Sequence, residues 1–201
     1  MSKTKGSRGW YWRDKVDGSM QKAGRKIVEC FPEARNHNEI ERTAAIHAYI
    51  YKKIDEESRG FNSANTREMR TPQETWRIGK GNCQEVSLLI ASLLKSTPDA
   101  KVRTLGLDHP DKRVGHRILQ VGFKYNRHQI AETVEAFYRR SHHVDSGAGS
   151  CFSQGEGRRS WVVTDRNRER LGDISFLEKA GYLEKYGDKY TWQGKNDQYN
   201  L

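Results

Sequence analysis

The segment 83–94 constrains this fold more than any other. Val86, Leu88, Leu89, Ile90, Leu93 and Leu94 recur at helical spacing and cover most of a helix's circumference. A helix with so little polar surface must be surrounded, so it belongs at the centre of a core. Pro98 marks its far limit. Its start, Gly81-Asn82-Cys83-Gln84-Glu85, puts a thiol at the helix mouth. Unpaired N–H groups and a partial positive charge at that point favour a thiolate. Glu85 suits the first turn, where a carboxylate contributes about 0.3–1 kcal/mol. Beside a thiolate it opposes ionisation, so it is expected to be salt-bridged or turned away.

The other elements follow from period and punctuation. A helix is expected over about 38–58, with Ile40, Ala44, Ile46, Ile50 and Ile54 near one stripe and Asn36 or Asn38 as its cap. His47 lies on or beside that stripe and reads as a buried, hydrogen-bonded histidine. Residues 59–70 read as loop. Thr71-Pro72-Gln73-Glu74 opens a short helix through Trp76 that ends near Gly79. Strands are expected at 101–107, 116–123 and 161–165. Between the last two lies 124–160, with a helix from about Arg127 to Arg140 and then a Gly-rich loop holding His142 and His143. A further helix is expected at about 173–186.

Composition bounds the rest. Only 34% of the 201 residues are hydrophobic and the net charge is +10. Residues 1–35 hold nine Lys/Arg against four Asp/Glu, and read as a loosely structured basic extension in which Trp10, Tyr11 and Trp12 dock on the domain or a partner. Such charge attracts nucleic acid, acidic protein or anionic membrane, or serves solubility. Cys30, Cys83 and Cys151 form no paired spacing, which suits a reducing compartment such as the cytoplasm. The basic N-terminus is followed by no apolar region of a signal peptide, and no run reaches the roughly 18 apolar residues of a membrane span. Delivery into a host cell is equally compatible with this pattern. No cofactor is implied and no metal site is expected. There is no CxxC, Cys151 stands at no ligand spacing from His143, and no calcium-loop pattern is present.

Three residues stand at element boundaries in an order that chemistry can use. Cys83 opens the apolar helix, His116 opens a strand and Asp165 closes one. They read as nucleophile, base and orienter. His109 is the nearest rival for the base, and Glu132, Asp145 and Asn126 are rivals for the third place.

The stretch Arg70-Thr71-Pro72-Gln73-Glu74-Thr75-Trp76-Arg77-Ile78-Gly79-Lys80-Gly81-Asn82-Cys83-Gln84-Glu85 resembles the nucleophile region of the transglutaminase-like superfamily. Val114-Gly115-His116 and Trp161-Val162-Val163-Thr164-Asp165 resemble its histidine and aspartate strands. The resemblance spans roughly 38–123 and 160–176, with 124–160 as an insertion. It implies an α+β fold with a papain-like core, in which the helix carrying the cysteine packs on an antiparallel sheet. The catalytic domain then spans 36–186, followed by a polar tail at 187–201. The insertion is expected near the cleft, as a lid or substrate platform.

The implied activity is that of a cysteine-dependent hydrolase or acyltransferase acting on a peptide or glutamine amide through an acyl-enzyme on Cys83. Hydrolysis, by a protease or deamidase, is favoured over amine transfer because water is always present. The partner is then a protein or peptide substrate. The backbone N–H of Cys83 is the natural oxyanion donor, with Gln84 or Trp76 as side-chain candidates. Trp76 is more often a core residue in such a place. The alternative is a catalytically inactive module on the same fold, binding nucleic acid or an acidic protein through its basic surface. No nucleic-acid motif stands out to favour it.

Overall fold

The computed structural model describes residues 18–32, 34, 36, 38–57, 69–108, 115–141, 153–154, 160–164 and 199–200. The aromatic trio at 10–12, most of the 59–70 loop and the helix expected at 173–186 lie outside the described residues.

A 3-10 turn at Gly18–Met20 leads into α1 (Gln21–Glu29). This part of the expected loose extension is instead built into the core. Met20, Gly24, Ile27 and Val28 are buried, while Lys22, Arg25 and Lys26 are exposed. The stripe is short and set among many charges, which hides it in the sequence. Gly24 permits a close approach to the central helix. A methyl group there would lie 2.4 Å from the Leu93 carbonyl oxygen and 2.6 Å from Ser96 Oγ.

Helix α2 (Glu39–Lys53) is capped by Asn38, whose side chain accepts from the Glu41 N–H at 2.9 Å. It ends at Lys53, short of the expected 58. Ile54 turns extended, and β1 (Asp55–Glu56) pairs parallel with β2 (Lys80–Gly81). His47 is buried on α2, as its place beside the apolar stripe implies. Between β1 and β2 lies α3 (Pro72–Ile78), which opens on the expected capping box of Thr71 and Glu74 and closes on Gly79 in the left-handed conformation.

Helix α4 (Cys83–Leu94) is the hub, with every residue from Glu85 to Leu94 buried. It packs against α1, α2, α3 and the sheet. Each fully buried Leu or Ile contributes roughly 1.5–3 kcal/mol, so its burial outweighs any propensity effect. The sheet consists of β3 (Lys101–Asp108), β4 (Gly115–Phe123), β5 (Ser153–Gln154), β6 (Ser160–Thr164) and β7 (Tyr199–Asn200). Its order is β5-β6-β4-β3-β7, and every neighbouring pair is antiparallel. Leu119, Val121 and Phe123 of β4 join Val102 of β3 in one apolar cluster with the helices. The protein is therefore α+β, with helices and a small antiparallel sheet sharing one core. Tyr199–Asn200 of the expected polar tail forms the edge strand on β3.

Helix α5 (Arg127–Arg140) forms where the periodicity of Ile130, Val134 and Phe137 predicts it. Its role differs from that of a lid. Ile130, Val134, Phe137 and Tyr138 are all buried and pack against the same cluster as α2. The half of 124–160 that it occupies is thus core. Arg140 closes the contact through Glu41, 2.9 Å away, whose other oxygen accepts from the Asn36 N–H at 2.9 Å. The Tyr125 hydroxyl donates to Glu39 Oε2 at 2.9 Å and ties α5 to the start of α2.

Two tests follow from this packing. Gly24→Ala gains about 1 kcal/mol of helix propensity but overpacks the α1–α4 contact by about 3 kcal/mol. A net loss of about 2 kcal/mol is expected in urea unfolding. Tyr125 has its pKa raised above 10.0, first by the hydrogen bond to Glu39 and then by burial. The folded chain therefore holds this proton more tightly than the unfolded chain. The resulting stabilisation is present in full below about pH 10 and is lost as pH rises through the raised value. The stability gap between wild type and Tyr125→Phe should accordingly narrow between pH 8 and pH 11 in urea titrations.

Candidate functional site

The site grows from the turn between α3 and α4. Asn82 takes an extended conformation, and its Oδ1 accepts from the N–H groups of Gln84 at 3.0 Å and Glu85 at 2.9 Å. Glu85 returns the contact, with Oε2 accepting from the Asn82 N–H at 3.0 Å. Its Oε1 accepts from the Arg70 N–H at 2.9 Å. The carboxylate is thus buried and held by two backbone amides, which accounts for a charge beside the thiol being tolerated. The Arg70 guanidinium reaches Glu57 at 2.8 Å and the Lys80 carbonyl at 3.0 Å, fastening the loop before α3 to β2.

Gly81 lets the two helices meet. A methyl group there would lie 2.9 Å from Thr75 Cγ2 and 3.2 Å from both Glu85 Cβ and Val86 Cγ2. Any side chain would push α3 off the first turn of α4.

Cys83 is the first residue of α4, a free and partly exposed thiol. Asn82 caps the two amides after it, and the Cys83 N–H has no partner among the described residues. That N–H is therefore available as an oxyanion donor, whereas the backbone amide of Gln84 is already engaged. The Gln84 side chain is half-buried. Trp76 stacks on Tyr49 with ring centroids 5.1 Å apart and planes at 12°, and packs against the core. Its indole serves the wall between α2 and α3.

Ser87 lies one turn after Cys83 on the same side of α4. Its Oγ donates to the Arg117 carbonyl at 3.1 Å. Arg117 directly follows His116, the second residue of β4, whose backbone is paired with Leu107. The last residue of β6, the buried Thr164, lies opposite Leu119. The second turn of α4 is therefore bonded to β4 beside His116, and the end of β6 pairs with β4 at Leu119. The side chain of His116 and the whole of Asp165 lie outside the described residues, as do His109, Asp145, His142, His143 and Cys151.

Two rivals for the third place have other duties. Asn126 caps α5 in reciprocal exchange with Gln129. Glu132 pairs with His128 at 3.1 Å on an exposed face. Among the described residues no three His, Cys, Asp or Glu side chains group as a metal site would need, and no helix is long and apolar enough to cross a membrane.

The reciprocal capping by Asn82 and Glu85 has a local signal that the expected elements do not include, Asn-x-x-Glu before an apolar run. The Arg70 contacts had no such signal, because they join residues far apart along the chain. Family models, curated proteins and solved structures contain no match to this chain.

Asn82→Ala should cost about 1–2 kcal/mol in thermal or urea unfolding, since two amides lose their acceptor. Asn82→Asp, which retains the acceptor, should recover most of that loss.

Proposed function

We propose that this protein is a thiol enzyme acting on an amide, with Cys83 as nucleophile, His116 as base and Asp165 as the residue that orients the imidazole. The observation that carries the reading is the state of Cys83. It is a partly exposed thiol at a helix start, and its own N–H is left unengaged by a cap that satisfies the next two amides. The Ser87 bond to the residue after His116 brings the beginning of β4 to the same side of the helix.

In the proposed reaction His116 takes the Cys83 proton. The sulfur attacks the amide carbon, and the developing oxyanion accepts from the Cys83 N–H. The C–N bond breaks as the imidazolium returns its proton to the leaving nitrogen. Water then attacks the thioester, with His116 again taking a proton, and a carboxylic acid leaves as the thiol is restored. Asp165 would hold one ring nitrogen so that the other faces sulfur. A transglutaminase-like arrangement, with hydrolysis as the favoured outcome, belongs to this same proposal.

Iodoacetamide alkylation near neutral pH, read by peptide mass spectrometry, tests it. Cys83 is expected to react at least tenfold faster than Cys30, which is also exposed, and His116→Ala should abolish most of that advantage. Equal rates at both thiols, or a rate at Cys83 indifferent to His116, would remove the basis for a thiol enzyme.

A further inference from the structure

We infer that the outer face of α1 is a binding surface for the phosphodiester backbone of nucleic acid. Lys22, Arg25 and Lys26 stand at i, i+3 and i+4, the spacing that puts residues side by side on a helix. All three are exposed, and none has a hydrogen bond or ion pair among the described residues. Glu29, one turn further on, is the single acid of this helix. Lys95 is also exposed, its ammonium unpaired among the described residues, and lies in the chain between Leu93 and Ser96, the residues that Gly24 of α1 approaches. The ridge is therefore cationic, is not neutralised among the described residues, and is backed by the buried Ile27 and Val28.

Its chemistry distinguishes between polyanions. A helix that lies in a membrane surface must insert an apolar face. Here Ile27 and Val28 are buried in the protein, so that face is already committed. A specific protein interface centres on desolvated anchors packed into pockets, aromatic residues above all, and is depleted in Lys and Glu. The exposed residues of α1 are all charged, and the sole large exposed hydrophobic among the described residues is Ile78, on α3. Long, mobile cations without an anchor match a regularly charged backbone, which they neutralise by releasing counterions. The net charge of +10 adds long-range attraction. This surface is independent of the chemistry at Cys83.

The test is fluorescence anisotropy of labelled 20-base-pair DNA and RNA duplexes with the full-length protein across a salt series. Binding should weaken steeply with salt. The triple variant Lys22→Gln/Arg25→Gln/Lys26→Gln should bind about tenfold or more weakly at about 0.1 M salt. Its log–log salt slope should be shallower by about 2.7, the value for three phosphate contacts. Glutamine keeps helix propensity, and an unchanged melting temperature checks the fold. The control Lys52→Gln/Lys53→Gln/Lys101→Gln removes the same charge elsewhere and should retain most of the slope. Equal losses in the two variants, an unchanged slope in the first, or binding to anionic phosphatidylserine vesicles without binding to either duplex would each overturn the inference. Binding to one duplex alone supports it and identifies the source of the phosphates.

Discussion

Burial of α4 from Glu85 onward is the constraint on which the rest of the structure depends. From Glu85 to Leu94 every side chain is removed from solvent, so each face of the helix needs a partner. Helix α1 supplies one through Gly24, α2 and α3 supply others, and β4 supplies the sheet side. The polar cost of burying a helix start is met locally. Asn82, Glu85 and the Arg70 amide satisfy one another before the apolar part begins.

That solution has a chemical by-product. A cap that engages the amides of Gln84 and Glu85 leaves the N–H of residue 83 over. Asn82 thus fastens the turn and leaves, among the described residues, an unengaged donor beside a thiol. The Glu85 carboxylate, which opposes a thiolate beside it, is held in place by two amides. Stability and the proposed reactivity draw on the same few atoms, so substitutions around this turn need a fold readout beside any activity readout.

The surface divides in a comparable way. Basic residues are abundant, yet they are ordered by what lies behind them. On α1 the apolar stripe settles which side faces the core, and the cations are displayed on the other. Charge counted along the chain cannot distinguish such a ridge from a solvated tail, whereas an amphipathic helix anchored in a core can.

The sequence by itself determined the elements whose signals are local. The capping box at Thr71, the apolar run of α4, the alternating strands and the period of α5 all lie within a few residues of one another, and all were legible. Tertiary structure decided what depends on distant partners. Helix α1 is stable because Gly24 meets Leu93 and Ser96, although the surrounding charge suggested a loose segment. Helix α2 stops at Lys53 because Asp55 and Glu56 pair with β2. Helix α5 belongs to the core rather than to a lid because Phe137 packs on Phe31, 6.0 Å between centroids, and Arg140 reaches Glu41. The candidate site shows the same division. Cys83 at a helix mouth was legible in the sequence, but the approach of β4 through Ser87 and Arg117 exists only once helix and sheet have packed. Short-range preferences choose an element, and burial against remote segments decides where it ends and what it faces.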